Sequence, residues 1–461
     1  MNKNSPTAAF KNKGLIPVTP LEAWISRKIH GTPGLPLTRE DIARYQIKRV
    51  NETIERVKRD SRFYREHLKH IPDNPIKHLS DMATLPFTTF EDISNDPMAF
   101  SCVSQTKISR VTSVPTSGTT GGQKRIFFTP EDQEATTDFF HHGMANLADL
   151  GDRVLILLPG ELPGSVGDLL FAALARLGAQ GYKYGFVDDP ERVIAAMDEY
   201  DVNVLVGVPV QVLSLVRGCK VKPKRRVKSV LLTTDYVPAA TLRAVEEAWG
   251  CRVFNHYGAT EMGLGGGVQC KAFRGYHLRE ADMLFEIVDP DTGEIVPDNE
   301  YGEVVFTSLT AVGTPFVRYR TGDISRIIKK PCPCGTVLKT LDIVSGRTAG
   351  RHALPTGHIM MRDFDEALFA LDDVLDFEVN LYGRHENTVI DIGLKLAPDA
   401  EGMEPVYAAL YGIKPVKEGL SKGSVSLGLH TAHSIKRNGA AKRIIYDRRE
   451  SSMKAPEGVK T

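Results

Sequence analysis

The chain has 461 residues, of which 42% are apolar and 25% charged, and its formal net charge is +1. That length calls for two or three domains around a large buried core. The near-neutral charge supplies no global field that would select nucleic acid, a membrane surface or an acidic partner.

The opening residues, MNKNSPTAAFKNKG, lack the apolar core of a signal peptide. Residues 38–70 read as helix with one charged face, followed by a Pro-containing stretch and the acidic segment 90–97. Val154–Leu158 (VLILL) is a short apolar run bounded by glycine and proline, the pattern of a buried strand, and Leu169–Leu177 follows as a helix. Val202–Val208 and Val230–Thr234 repeat the strand pattern, and residues 190–200 and 238–249 between and after them have helical spacing. Val202–Val216 is the longest apolar candidate for a membrane span, but Asn203, Gln211 and Ser214 interrupt it, and it falls short of the roughly 18 to 20 residues needed. The basic run 222–228 reads as a solvated loop. Alternating strands and helices predict parallel, buried sheets.

From residue 283 the texture changes. MLFEIVDPDTGEIV predicts a hairpin around DPDTGE, and YGEVVFTSL and ISRIIKK add two strands of a β-rich subdomain. The fold class is therefore α/β: a large N-terminal domain, 1–345, of parallel and mixed sheets with helices plus the β-rich subdomain, and a small α+β C-terminal domain, 346–461, ending in a disordered tail at 450–461. Six cysteines over this length do not suggest a disulfide framework, so a reducing cytoplasm is expected. The oligomeric state stays open, a homodimer included.

The most informative stretch is PTSGTTGGQKRIFFT, Pro115 to Thr129. Glycines let its backbone approach a ligand closely, hydroxyl and N–H groups can surround phosphate oxygens, and Lys124 adds a point charge. It lacks the Gly-Lys-Ser/Thr order of a Walker A loop. A flexible linker has similar composition, but the apolar Ile-Phe-Phe directly after it anchors this segment to core structure.

Two further segments follow in order: NHYGATEMG at Asn255–Gly263 and YRTGD at Tyr319–Asp323. Together the three resemble the phosphate loop, the YGxTE motif and the YRTGD motif of the superfamily of acyl-CoA synthetases, nonribosomal-peptide adenylation domains and luciferases. Within it the chain is most similar to phenylacetate–CoA ligase-like proteins. The resemblance implies an ATP-dependent enzyme that joins a carboxylic acid to AMP and passes the acyl group to CoA. Thr116, Ser117, Gly118, Thr119, Thr120, Gly121 and Lys124 would clasp the β- and γ-phosphates. Thr260 would touch the α-phosphate, and Glu261 would bind Mg²⁺. Asn255, His256, Tyr257, Gly258 and Ala259 would line the adenine pocket, with Asp235 standing in for an acidic residue nearby. Asp323 would accept from the ribose hydroxyls, and Arg347 would reach the ribose or phosphates. Taken singly, Tyr257 also reads as a core aromatic, Glu261 as a helix N-terminal charge and Asp323 as a turn residue. Their co-occurrence in order favours the site.

Cys332-Pro-Cys334-Gly335 is a tight turn that brings two thiols together, and Cys270 and His277 lie about sixty residues earlier. Three cysteines and a histidine make a complete tetrahedral set for a structural Zn²⁺. Ordinary buried thiols beside a surface histidine are the alternative. Phenylacetate–CoA ligase-like proteins carry a similar arrangement.

The small C-terminal domain of this superfamily is mobile, and its hinge follows a GRxxD pattern. Here Gly346–Arg351 reads GRTAGR, without the acidic residue. The superfamily's C-terminal lysine matches Ala440, which leaves Lys436 or Lys442 as candidate substitutes. TGHIMMRDFDE at 356–366 departs from the family's glycine–asparagine segment, so CoA is the less secure co-substrate and a non-CoA amine or carrier thiol is the alternative acceptor. A non-catalytic nucleotide- or acyl-binding homologue is a further alternative. The acyl pocket is expected near 139–144, 158–166, 207–211 and 255–265, with an aromatic or hydroxylated acid suiting Phe139, Phe140 and the adjoining histidines.

Overall fold

Val154 and Ile156 point to one apolar cluster while Leu155 and Leu157 point to another, and Val204/Val206 against Leu205 repeat the division. A strand alternates its side chains between faces, so a run that is apolar at every position must be covered on both. The structure, a computed structural model, describes residues 19–114, 124–397, 400, 402–432, 435 and 443–449. Five parallel strands form one side of its main sheet, from the edge inward in the spatial order Gln180–Lys183, Arg153–Leu157, Val204–Gly207, Ser229–Leu232 and Arg252–Tyr257. Gly267–Gln269, Tyr276–Leu278 and Thr340–Leu341 extend it antiparallel. Helices Pro130–Met144 and Val166–Leu177 cover one face, and helices Pro190–Glu199, Pro209–Gly218 and Ala239–Trp249 cover the other. Each fully buried aliphatic side chain contributes roughly 1.5–3 kcal/mol, so this sheet is the rigid floor on which the site is built.

The α/β class read from the sequence is the one observed. The helix expected over 38–70 divides into Arg39–Asp60 and Arg62–His67, because Ser61 is extended (φ −94°, ψ 127°) and its hydroxyl caps the second piece. The DPDTGE turn forms, with Val288 bridging Ile295. The long partner of Met283–Val288 is nevertheless Gly302–Ser308, because Pro297 has no N–H to carry the short hairpin further. Tyr319–Ser325 and Gly346–Arg347 complete this second, antiparallel sheet.

Residues 374–396 make a long antiparallel pair flanked by the parallel strands Val425–Thr431 and Ile445–Asp447. Three helices, Met361–Leu368, Glu404–Tyr411 and Lys414–Ser421, pack around this sheet. Arg217 fastens the unit to the main sheet's helices: its guanidinium donates to the carbonyls of Leu371 (2.9 Å), Phe369 (3.0 Å) and Val374 (3.1 Å). No helix among the described residues is long and apolar enough to cross a membrane. The expected tail at 450–461 lies outside the described residues.

Candidate active site

The strands Arg110–Val114 and Lys124–Phe128 pair antiparallel, with Val114 opposite Lys124, and flank the Ser/Thr/Gly-rich segment. Thr116, Ser117, Gly118, Thr119, Thr120 and Gly121 lie outside the described residues. Ile126 and Phe127 are buried, so the second strand is anchored as its sequence suggests. It delivers the Lys124 ammonium to Glu261, with both side chains buried. Glu261 sits in the short helical turn Thr260–Met262 and also accepts the Tyr319 hydroxyl at 2.8 Å. Burial alone would raise the Glu261 carboxyl, but the Lys124 charge and the two donors outweigh it and hold the group below its usual range.

Every residue of YRTGD has a task. Tyr319 reaches Glu261, the Arg320 Nε donates to Glu303 at 2.8 Å, and the Thr321 hydroxyl donates to the Val304 carbonyl at 2.7 Å. Gly322 takes the left-handed conformation (φ +75°) that turns Asp323 inward. Asp323 is 4% exposed; its carboxylate accepts the Tyr257 hydroxyl at 2.9 Å and the Arg347 Nε at 2.6 Å. The Asp323 carboxylate raises the Arg347 pKa above the ordinary arginine value despite partial desolvation, and burial with Asp323 raises the Tyr257 hydroxyl. Asp323 thus presents its carboxyl oxygens to two donors from a buried position. Gly258 has no room for a side chain, since a Cβ there would lie 2.4 Å from the Leu264 carbonyl oxygen.

A cavity of about 250 Å³ opens at the carboxyl ends of the parallel strands, lined by Asp235, His256, Tyr257, Gly258, Asp323 and Arg347. In an open α/β sheet this is where ligands bind. Lys124, Asn255, Ala259, Thr260 and Glu261 do not line it. Lys124 and Glu261 form their own buried pair, joined to the cavity through the strand that holds both Tyr319 and Asp323. His256 Nδ1 and the Thr233 hydroxyl are 2.9 Å apart, and burial pushes the His256 imidazole down to about 4, so it is neutral. Of the four segments expected to form the acyl pocket, only 255–265 contributes to this cavity. Phe139 and Phe140 instead pack in the core beside His256, with ring centroids 6.1 and 6.0 Å away.

Sequence reading passed over several residues of this cavity. Thr234 lines it with φ +74°, a conformation that costs a β-branched residue on the order of 1–3 kcal/mol. Tyr236 and Arg362 line it too, the first in the TTDYVP stretch and the second in TGHIMMRDFDE. The only signal for Arg362 was that its stretch departs from the superfamily pattern. Lys436 and Lys442 lie outside the described residues.

The four expected zinc ligands converge: the sulfur and nitrogen atoms of Cys270, His277, Cys332 and Cys334 all lie within 4.8 Å of one another. Cys270 Sγ is 3.7 Å from Cys332 Sγ, and Cys334 Sγ is 3.4 Å from His277 Nε2. A tetrahedral ion with Zn–S arms of about 2.3 Å and a Zn–N arm of about 2.0 Å requires edges of roughly 3.8 and 3.5 Å. The donor set therefore fits Zn²⁺. The other histidine nitrogen faces the Thr340 hydroxyl at 3.3 Å, and the Ala272 N–H donates to Cys270 Sγ at 3.3 Å, the outer contacts such a site uses. A second cluster, Asp138, His141 and His142, does not fit an ion: Trp24 Nε1 donates to Asp138 at 2.5 Å, and the two His142 nitrogens face the Asp138 carbonyl and Arg27.

Residues 60–312 match the family model described as AMP-binding enzyme. The chain belongs to this family. It is 27% identical over 391 residues to the phenylacetate-coenzyme A ligase of Thermus thermophilus, a match covering 80% of this chain and 84% of the other. With the enzyme of the same name from Escherichia coli K12 it shares 23% over 374 residues, covering 77% and 83%. Among solved structures, its fold is similar to 2-hydroxyisobutyryl-CoA ligase in the postadenylation state with R3-HIB-AMP (TM-score 0.76, 17% identity, 92% of this chain and 91% of that one). Against the same ligase with 2-HIB-AMP and CoA in the thioesterification state the TM-score is 0.65, at 19% identity and 92% coverage of both chains.

Proposed function

We propose that this AMP-binding enzyme activates a carboxylic acid with ATP to an acyl-AMP, releases pyrophosphate, and then transfers the acyl group to CoA. The observation that carries the reading is the buried Asp323 carboxylate, fixed by Tyr257 and Arg347 in the wall of a cavity large enough to admit a nucleoside. A fixed carboxyl group of this kind offers two acceptor oxygens to vicinal hydroxyls. The names of the relatives support the acid–CoA ligase reading.

In this proposal residues 116–121 and Lys124 hold the β- and γ-phosphates, Thr260 touches the α-phosphate, and His256, Tyr257 and Gly258 with Asp235 enclose the adenine. Glu261 is a buried carboxylate next to the lysine of the phosphate loop, and it fits Mg²⁺ shared with phosphate oxygens. Bound Mg²⁺ would supply charge neutralisation on the triphosphate. Lys124, released from Glu261, then turns to the phosphates. Lys436 or Lys442 supplies the charge that Ala440 does not. Residues 346–461 act as a lid, Zn²⁺ on the Cys270 cluster is structural, and the six free thiols suit a reducing cytoplasm.

The test is pyrophosphate release from the purified protein with MgATP and a panel of aromatic and aliphatic acids, with and without CoA. Release that depends on one class of acid, followed by CoA-dependent thioester, is the expected result. ATP binding without release for any acid would sink the proposal.

A further inference from the structure

Three arginines line the 250 Å³ cavity, and their charges are not balanced alike. Arg347 is paired with Asp323 at 2.6 Å. Arg443 is paired with Asp365 at 2.9 Å and lies over the rings of Phe377 and Phe369, 4.0 and 4.4 Å from their centroids. Arg362 has only neutral partners among the described residues: its Nε donates to the Tyr236 hydroxyl at 3.1 Å and its Nη1 to the Ser345 carbonyl at 3.0 Å. The neighbouring carboxylates are engaged elsewhere. Glu366 accepts the Tyr236 hydroxyl at 2.5 Å and the Ala239 N–H at 3.1 Å, and Asp235 accepts the backbone N–H groups of Tyr236 (2.9 Å) and Arg443 (3.0 Å).

Arg362 is therefore a guanidinium held in place by two neutral acceptors, half-buried in a cavity wall, with its charge unmatched. It occupies the second position of the helix Met361–Leu368, where the helix dipole adds positive potential. A tethered, planar, permanently charged donor suits a phosphate oxygen better than a mobile ammonium does. The same cavity holds Asp323, the acceptor read here as the ribose site. We infer that Arg362 binds the phosphate nearest the ribose, the α-phosphate of the nucleotide, from the side of the 346–461 segment. The inference rests on the adenylation reading for its catalytic consequence. As the acid's carboxylate oxygen bonds to Pα and the bond from Pα to the bridging oxygen breaks, pyrophosphate leaves with the electron pair, and Arg362 faces the charge that gathers on the α-phosphate oxygens.

The experiment compares AMP with adenosine as calorimetric ligands of the full chain, for wild type, Arg362→Ala, Arg362→Lys and Tyr236→Phe. Arg362→Ala should weaken AMP roughly 10- to 100-fold, the value of one charge-assisted contact, and leave adenosine unchanged. Arg362→Lys should recover part of the loss, and Tyr236→Phe, which removes a tether but no charge, should keep the wild-type AMP-to-adenosine ratio within about threefold. Guanidinium added to Arg362→Ala should restore acid-dependent pyrophosphate release. Equal weakening of both ligands would assign Arg362 a structural role and overturn the inference, as would no weakening of either. The affinity ratio is read without turnover, so a wild type that adenylates no acid would fail the function while leaving this test standing. Normal adenylation with an unchanged ratio would fail only the inference.

Discussion

Tyr236, in the loop between the strand Ser229–Leu232 and the helix Ala239–Trp249, donates its hydroxyl to Glu366 Oε1 at 2.5 Å, 130 residues further along the chain. The same oxygen accepts the Ala239 N–H at 3.1 Å, so one carboxylate holds both the side chain and the backbone of the loop that lines the cavity. This contact joins the main sheet to the segment 346–461 and shares its loop with Asp235.

Removing the hydroxyl should loosen that junction without emptying the site. Tyr236→Phe is expected to speed hydrogen exchange across 361–368 by 10-fold or more, since a hydrogen bond to a charged group contributes about 1.5–3 kcal/mol. Pyrophosphate release should fall only several-fold. Exchange at the wild-type rate would show that the contact does not hold the segment.

Asp323 should be far less tolerant. In Asp323→Ala, Arg347 and Tyr257 lose their shared acceptor, and leaving the buried Tyr257 hydroxyl without its partner costs about 1–3 kcal/mol. The variant should melt several degrees lower, and ATP should no longer raise its melting temperature. A ligand-induced shift equal to wild type would remove Asp323 from the nucleotide site.

The thiol cluster predicts about one zinc per chain by elemental analysis. Cys332→Ser should lose the metal and most of the added stability while Cys219→Ser, remote from the cluster, keeps both. Metal-free protein with wild-type stability would leave the four residues as ordinary core thiols and a histidine.

The buried ion triad of Asp282 with Arg279 (2.6 Å) and Lys28 (2.5 Å) predicts an acid limit. Burial raises this carboxyl, but the two cations outweigh it and hold it at about 2, against 3.8 for a free aspartate. A depressed carboxyl contributes stability that is complete above its unfolded pKa and lost as pH falls through the folded one. The loss should fall between about pH 4 and pH 2 and amount to on the order of 2 kcal/mol. Urea midpoints measured down that range should drop for wild type and drop less for Asp282→Asn. Parallel curves would show that Asp282 does not set the limit.

The parts of the fold that were legible in sequence were those governed by short-range pattern. VLILL and its repeats read as buried strands, and YRTGD was readable by its resemblance to a known motif. The helix Pro209–Gly218 was not anticipated, because its apolar residues continue directly from a buried strand and no change of period separates the two. The extended pairing of Met283–Val288 with Gly302–Ser308 was missed because a nearby turn signal outranked a more distant partner. At the site, Asp323, Tyr257 and Arg347 were each readable from a motif. Tyr236 and Arg362 were not, because 126 residues separate them and neither belongs to a pattern. A lone arginine between methionines and an aspartate gains meaning only once the fold sets it beside a cavity.

Thr234 has one more implication. Its left-handed backbone (φ +74°) is one that glycine adopts freely and a branched side chain resists, and its hydroxyl is buried with no partner among the described residues. Thr234→Gly should therefore relieve that backbone strain. A cavity wall that carries its own backbone strain tells the experimenter where this protein has slack: a gain in thermal robustness lies beside the cavity, and the choice of residue there sets hardiness against the shape of the lining.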